Sequence, residues 1–140
     1  MSESKLEKLK SEVKDELVTN ILPFWMTKMI DSQNGGFYGR IDGSGHVYKE
    51  ADKGCILNAR ILWTFSSAFR IFNNPDYLKM AERAKDYLLD HFFDKEFGGV
   101  FWLVDHKGKI KDGKKQIYAQ AFAIYGLAEY YRVTKDISCL

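Results

Sequence analysis

Apolar residues follow two distinct patterns along this chain. In residues 4–22, Leu6, Leu9, Val13, Leu17 and Ile21 recur at spacings of three and four among charged positions, the stripe of an amphipathic helix. Ser4 and Glu7 stand at the spacing of a capping box, and Pro23 predicts the end of the helix, with Trp25 beyond it. A second one-sided helix is predicted from Asn74 as N-cap and Pro75 at the first helical position, carrying Leu78, Ala81, Leu88 and Phe92. Residues 54–72 (GCILNARILWTFSSAFRIF) and 116–131 (QIYAQAFAIYGLAEYY) are apolar or small on nearly every side. That pattern predicts helices enclosed all round.

The segments between these helices repeat. DSQNGGFYGRIDGSGHV at 31–47 and DKEFGGVFWLVDHKGKI at 94–110 align without a gap, 63 residues apart. Each runs from an acidic residue through Gly-Gly to alternating aromatic and aliphatic positions, then Asp and a turn glycine, Gly45 or Gly108. The pattern reads as a short β-hairpin. Outer amphipathic helices alternating with inner apolar ones at this period predict an all-α protein, an α/α toroid of the (α/α)6 barrel type with short β-hairpins. Two helix pairs supply roughly a third of such a ring. The expectation is therefore that residues 1–140 form the N-terminal portion of a single barrel domain, with repeat units of about 1–72 and 73–140, truncated. A complete four-helix protein is the alternative.

Charge and composition narrow the class. Twenty-one Lys and Arg against 19 Asp and Glu leave a net charge of +2, interspersed along the chain, so no footprint for nucleic acid or an anionic membrane emerges. The charged N-terminus lacks a signal-type apolar region, and no apolar run is long enough to span a bilayer; a cytoplasmic protein is expected. Cys55 and Cys139 have neither metal-type spacing nor a disulfide framework, and Cys55 reads as a small buried hydrophobe.

With the helices aligned at the hairpins' 63-residue offset, Arg60 falls opposite Ala123, Asn58 opposite Ala121, Cys55 opposite Tyr118 and Leu57 opposite Gln120. A guanidinium in an apolar helix is costly to bury unless it is paired or faces a wet cavity. Arg60 therefore either serves a ligand or forms an ion pair, with Asp52 or a carboxylate on a neighbouring helix. Tyr118, Gln120, Asn58 and Arg60 all lie early in the inner helices, whose ends line the mouth of an α/α barrel, where polar and aromatic groups can bind a sugar. By residue type alone Tyr118 is more often a core tyrosine with one satisfied hydroxyl, and Trp63 reads as core. His46 and His106 sit at hairpin turns and His91 near the end of an outer helix, none placed as a catalytic base. Metal-type, phosphate-loop and serine-nucleophile motifs do not occur.

ILPFW (21–25), D-x-x-N-G-G-F-Y-G (31–39), A-D-K-G-x-I-L-N-A-R-I-L-W-T-F-S (51–66), F-G-G-V-F-W (97–102) and K-K-Q-I-Y-A-Q-A-F (114–122) together resemble the cellobiose 2-epimerase branch of the N-acylglucosamine 2-epimerase family. The resemblance implies an (α/α)6 barrel that opens the reducing-end sugar of a β-1,4-linked disaccharide (cellobiose, lactose or mannobiose) and inverts C2 without a metal or redox cofactor. It also implies two histidines that carry the protons on opposite faces of an enediolate-like intermediate. Arg60 matches the family's active-site arginine and Tyr118 a pocket tyrosine; Asn58 is a candidate substrate-binding residue by its place early in the inner helix alone. The implied histidines and their glutamate have no counterpart in residues 1–140, which implies a fragment inactive alone. A noncatalytic carbohydrate-binding or assembly fragment and an N-acylglucosamine- or mannose-type monosaccharide epimerase are the alternatives.

An open arc leaves inner-helix flanks uncovered, and a large apolar seam promotes association. Self-association through that seam is the expected outcome of light scattering at high protein concentration, and a clean monomer would contradict it.

Overall fold

The computed structural model describes residues 3–140, which pack as two compact units, Met1–Ile30 and Asp31–Leu140. In the first, α1 (Glu3–Glu16) continues through a π-helical turn (Leu17–Ile21) into α2 (Leu22–Thr27). The helix is longer than the sequence pattern predicts because Pro23 does not stop it. The N–H of Leu22 reaches back five residues to the Leu17 carbonyl, so the α-helical ladder is already widened where proline has no N–H to give. Ser4 lies inside α1, which is under way by Glu3. Leu6, Leu9 and Val13 keep about half their surface exposed.

In the second unit, α3 (Cys55–Phe72) packs against both α4 (Pro75–Tyr87) and α5 (Ile117–Thr134). Asn74 caps α4 by accepting from the Asp76 N–H at 2.9 Å, with Pro75 at its first position, as the sequence predicts. A π-helical turn (Leu88–Phe92) closes it. Leu62, Phe65, Leu88 and Phe92 fill the core with Phe37, whose ring stacks on Phe65 at 6.5 Å. Cys55 is fully buried and burial pushes its thiol up to about 12, consistent with an inert apolar role. No helix among the described residues is long and apolar enough to cross a membrane.

The two predicted hairpins differ in outcome. The second forms β2 (Leu103–Val104) and β3 (Ile110–Asp112), and β1 (Lys53–Gly54) joins β2 to give an antiparallel sheet in the order β1-β2-β3. The first is reduced to a single bridge, Ile41 to Val47. Both tips nevertheless close alike, with Asp42 or Asp105 accepting backbone N–H groups on its Oδ1 and Gly45 or Gly108 at φ +85° or +87°.

The repeat also changes register. The hairpins lie 63 residues apart, but α3 and α5, each 18 residues long and each ended by a left-handed residue, Asn73 or Lys135, lie 62 apart. One residue is dropped between hairpin and helix. The partners are thus Arg60 with Phe122, Asn58 with Gln120, Ile56 with Tyr118 and Trp63 with Tyr125. The 63-residue helix alignment is corrected accordingly.

Each hairpin is preceded by a double-glycine loop closed by its own aspartate. Asp31 Oδ1 accepts from the N–H groups of Gln33 and Asn34, and Asp94 Oδ1 from those of Glu96 and Phe97. A lysine 62 residues on from its counterpart then ties each loop to the next helix. Lys53 Nζ donates to Asp31 Oδ2 and the Gly35 carbonyl, both at 2.8 Å; Lys115 Nζ reaches Asp94 Oδ2 and the Gly98 carbonyl, both at 2.6 Å. Asp31 and Lys53 are fully buried. Burial pushes the Asp31 carboxyl up, but the Lys53 ammonium and the Asn34 N–H outweigh it and hold it below the ordinary carboxylate value.

A charge left alone in the core costs about 3–5 kcal/mol, so Asp31→Ala is expected to lose about that much in urea unfolding. The double change Asp31→Leu with Lys53→Met should cost less than the single one. A carboxyl depressed in the folded state stabilises above its unfolded pKa, and this is lost as pH falls through the folded value. The wild type should therefore lose stability in acid more steeply than Asp31→Asn, and parallel acid profiles would contradict the assignment.

Candidate functional site

Small residues bring α3 and α5 together. Gly126 on α5 lies against Ala59 and Leu62 on α3, and Ala119 and Ala123 are buried on the same helix as Gly126. A Cβ on Gly126 would stand 2.6 Å from the Ala59 carbonyl oxygen, so glycine is what permits this separation. Farther along the pair, Glu129 accepts from Arg70 Nε at 2.8 Å and from Ser67 Oγ at 3.2 Å. At the opposite end, Gln120 holds both the N–H and the carbonyl of Val100 at 2.7 Å, anchoring α5 to the hairpin.

Neither inner helix is enclosed all round. α3 exposes Arg60 and Ile71, and α5 exposes Ile117, Tyr118, Ile124 and Tyr125. Between them the two helices form a groove of about 710 Å³ lined by Arg60, Trp63, Thr64, Tyr118, Ala121, Phe122 and Tyr125. Trp63 stacks on Tyr125 across the seam with ring centroids 4.9 Å apart and planes 12° from parallel. Phe122 meets both Tyr118 and Tyr125 edge to face, at 4.9 and 6.1 Å. The result is an aromatic floor with one guanidinium and a few hydroxyls around it.

The structure brings Arg60 and Tyr118 to this groove and leaves Asn58 out of it. Arg60 makes no ion pair among the described residues; Asp52, its expected partner, bonds instead to Lys111 at 2.7 Å. The buried-pair alternative for Arg60 is therefore set aside. Tyr118 is 61% exposed and is no core tyrosine. Asn58 is 1% exposed, donates to the Gly54 carbonyl at 3.0 Å and turns its Oδ1 into the interior. Gln120 is likewise committed to backbone. Trp63 lines the groove rather than the core, contrary to the sequence expectation, and Thr64, Ala121, Phe122 and Tyr125 were missed altogether. Their spacing held the signal: Tyr118, Ala121, Phe122 and Tyr125 fall at three and four residues, as do Arg60, Trp63 and Thr64.

Chemically, aromatic faces beside a fixed cation suit a neutral polyhydroxylated ligand: the rings accept its C–H faces while the guanidinium and hydroxyls bond its oxygens. None of the groove-lining side chains is a histidine or a carboxylate. The groove can bind and polarise but holds no general base.

The N-acylglucosamine 2-epimerase (GlcNAc 2-epimerase) family model matches residues 36–137. The cellobiose 2-epimerase of Bacteroides fragilis is 57% identical over 96% of this chain. Among solved structures, the cellobiose 2-epimerase of Bacillus thermoamylovorans B4167 superposes with a TM-score of 0.92 at 44% identity over 95% of this chain. That of Spirochaeta thermophila gives 0.93 at 38% over 98%. The chain spans about a third of the length of each relative, 34% in all three.

Enlarging residue 126 should force the helices apart. Gly126→Val is expected to cost about 1–3 kcal/mol in thermal unfolding and to weaken the near-ultraviolet circular dichroism of the Trp63–Tyr125 stack. Unchanged stability and signal would mean that the seam does not set the groove.

Proposed function

The chain belongs to the N-acylglucosamine 2-epimerase family, and from that premise we propose that residues 31–140 supply one wall of the substrate site of a sugar 2-epimerase acting on β-1,4-linked disaccharides. The observation that carries this reading is the convergence of Arg60 and Tyr118, from different helices, on one aromatic groove. In this reading the two helix pairs are about a third of an (α/α)6 barrel, and the groove lies on its inner wall. The relatives support the substrate class, since two that are 57% and 42% identical carry the name cellobiose 2-epimerase.

Epimerisation removes the proton from C2 of the ring-opened sugar and returns one to the opposite face. As the C2–H bond breaks, its electron pair moves into the C1–C2 bond and negative charge gathers on the C1 oxygen. A guanidinium held beside that oxygen lowers the barrier because the charge is larger in the transition state than in the substrate. Arg60 takes this role. No carboxylate among the described residues pairs with it, which leaves its charge for the ligand. Tyr118 bonds a sugar hydroxyl, and the Trp63–Tyr125 stack receives a pyranose face. Asn58 is withdrawn from the proposed contacts, because its amide is spent on the Gly54 carbonyl. The proton carriers are a pair of histidines outside residues 1–140, as the family resemblance implies, for no group in the groove can take a proton from carbon.

Binding and turnover should therefore separate. Purified 1–140 is expected to bind cellobiose saturably, with affinity falling roughly tenfold, about 1.4 kcal/mol, in Tyr118→Ala, and to form no 4-O-glucosyl-mannose. Product above the background of an Arg60→Ala control would overturn the division of labour. In a longer polypeptide that contains this segment and is active, Arg60→Ala should lower kcat by about 10²–10³ with a smaller change in KM.

A further inference from the structure

Asn34 is the one asparagine of this chain that precedes a glycine. Glycine puts no side chain beside its own amide nitrogen, so that nitrogen can reach the carbonyl carbon of the asparagine side chain. When a solvent base takes the Gly35 N–H proton, the nitrogen bonds to Asn34 Cγ. The Cγ–Nδ2 bond breaks, and Nδ2 leaves with a proton as ammonia. Water then opens the five-membered imide at either carbonyl. The product is aspartate, or isoaspartate whose main chain runs through the former side chain. Water and a general base are the only co-reactants.

In the folded chain Asp31 holds both reacting groups. The Gly35 N–H donates to the Asp31 carbonyl at 3.1 Å, and Asn34 Nδ2 donates to the two carboxylate oxygens at 3.4 and 3.3 Å. The loop is also locked from the far side. Lys53 Nζ donates to the Gly35 carbonyl at 2.8 Å, and Arg83 donates through Nε to the Gly36 carbonyl at 2.8 Å and through Nη2 to the Asp31 carbonyl. The Tyr87 ring covers both glycines, 3.3 Å from a Cβ placed on Gly35 and 2.6 Å from one on Gly36. While these bonds hold, the Gly35 proton stays with an acceptor and the Asn34 amide is turned toward Asp31. The loop itself does not need an amide: Phe97 stands in the place of Asn34 at the second double-glycine loop, where Asp94 accepts the equivalent pair of N–H groups.

We infer that Asn34 is a deamidation site gated by opening of the Asp31 loop, and that its conversion dismantles the Asp31–Lys53 anchor. A carboxylate at position 34 replaces a donor to Asp31 with a second negative charge beside a fully buried one, where like charges repel most strongly. The isoaspartate form also lengthens the main chain between Asp31 and Gly35, which draws the Gly35 carbonyl away from Lys53 Nζ. The change is one-way, and it accumulates with the time the loop spends open. It rests on this loop and not on the sugar chemistry of the groove.

Trypsin cuts after Lys28 and Arg40 and releases residues 29–40, so mass spectrometry of that fragment counts the conversion of Asn34. The 140-residue protein, the same chain in urea and a synthetic 29–40 peptide are incubated in mildly alkaline buffer, with Gly35 amide exchange followed alongside. The expected result is conversion at least roughly tenfold slower in the folded protein than in the peptide or in urea, with Gly35 exchange slowed by a like factor. Arg83→Gln removes the outer donors without stranding a buried charge, and should raise both rates several-fold. The converted fraction, separated by ion exchange, should unfold at lower urea than the parent, as should Asn34→Asp. Conversion at the peptide rate in the folded protein, no conversion in urea, an unchanged rate in Arg83→Gln, or a converted fraction as stable as its parent would each overturn the inference. Where Arg83→Gln loses its fold, wild-type Gly35 exchange decides: exchange at the peptide rate refutes the gate, and exchange slowed together with conversion supports it.

Discussion

The buried Asp31–Lys53 pair is the constraint on which the second unit depends. Two fully enclosed charges are tolerable only because each is completely bonded: the carboxylate by Lys53, two backbone N–H groups and the Asn34 side chain, the ammonium by Asp31, a carbonyl and the face of Tyr87. Lys53 is also the first residue of β1 and stands two positions before α3. Whatever fixes this lysine fixes where α3 begins, and with it the direction in which Arg60 leaves the helix. The pair therefore links the double-glycine loop to the groove, Arg60 standing seven positions after Lys53.

The second copy of this arrangement shows what is general in it. Lys115 and Asp94 repeat the contact more openly, ahead of α5, and Gln120 adds a backbone clamp that the shorter Asn58 does not reproduce. Each inner helix is thus set by a lysine anchored in the loop of its own repeat, and the two helices then meet along a small-residue seam. Gly126 lies against Ala59 in that seam, and Trp63, Phe122 and Tyr125 line the groove beside it. The groove is a consequence of packing small residues on one face and large rings on the next.

Much of this was legible in the sequence, for reasons of period. Helices α3, α4 and α5 appear nearly where apolar spacing and the Asn74-Pro75 signal place them, because long periodic segments bury what the pattern says they bury. Arg60 and Tyr118 were visible as residues that packing does not need. What was hidden is instructive. A single residue dropped between the hairpins and the helices shifts the repeat from 63 to 62, and a gapless self-comparison cannot see it; every helix pairing drawn from the hairpins was therefore one position out. Asn58 looked like a ligand because it is polar in an apolar helix, but it is buried and its NH2 donates to a carbonyl four residues back. Pro23 looked like a helix end because the π-helical turn that accommodates it leaves no trace in composition.

The central claim is that Arg60 and Tyr118 face a sugar across one groove. A crystal structure of the protein soaked with cellobiose tests it most directly. The expected result is a disaccharide lying against the Trp63–Tyr125 stack, with the Arg60 guanidinium within hydrogen-bond distance of the oxygens on C1 or C2 of the reducing-end residue. A sugar bound elsewhere, or one in the groove with Arg60 turned to solvent, would contradict it.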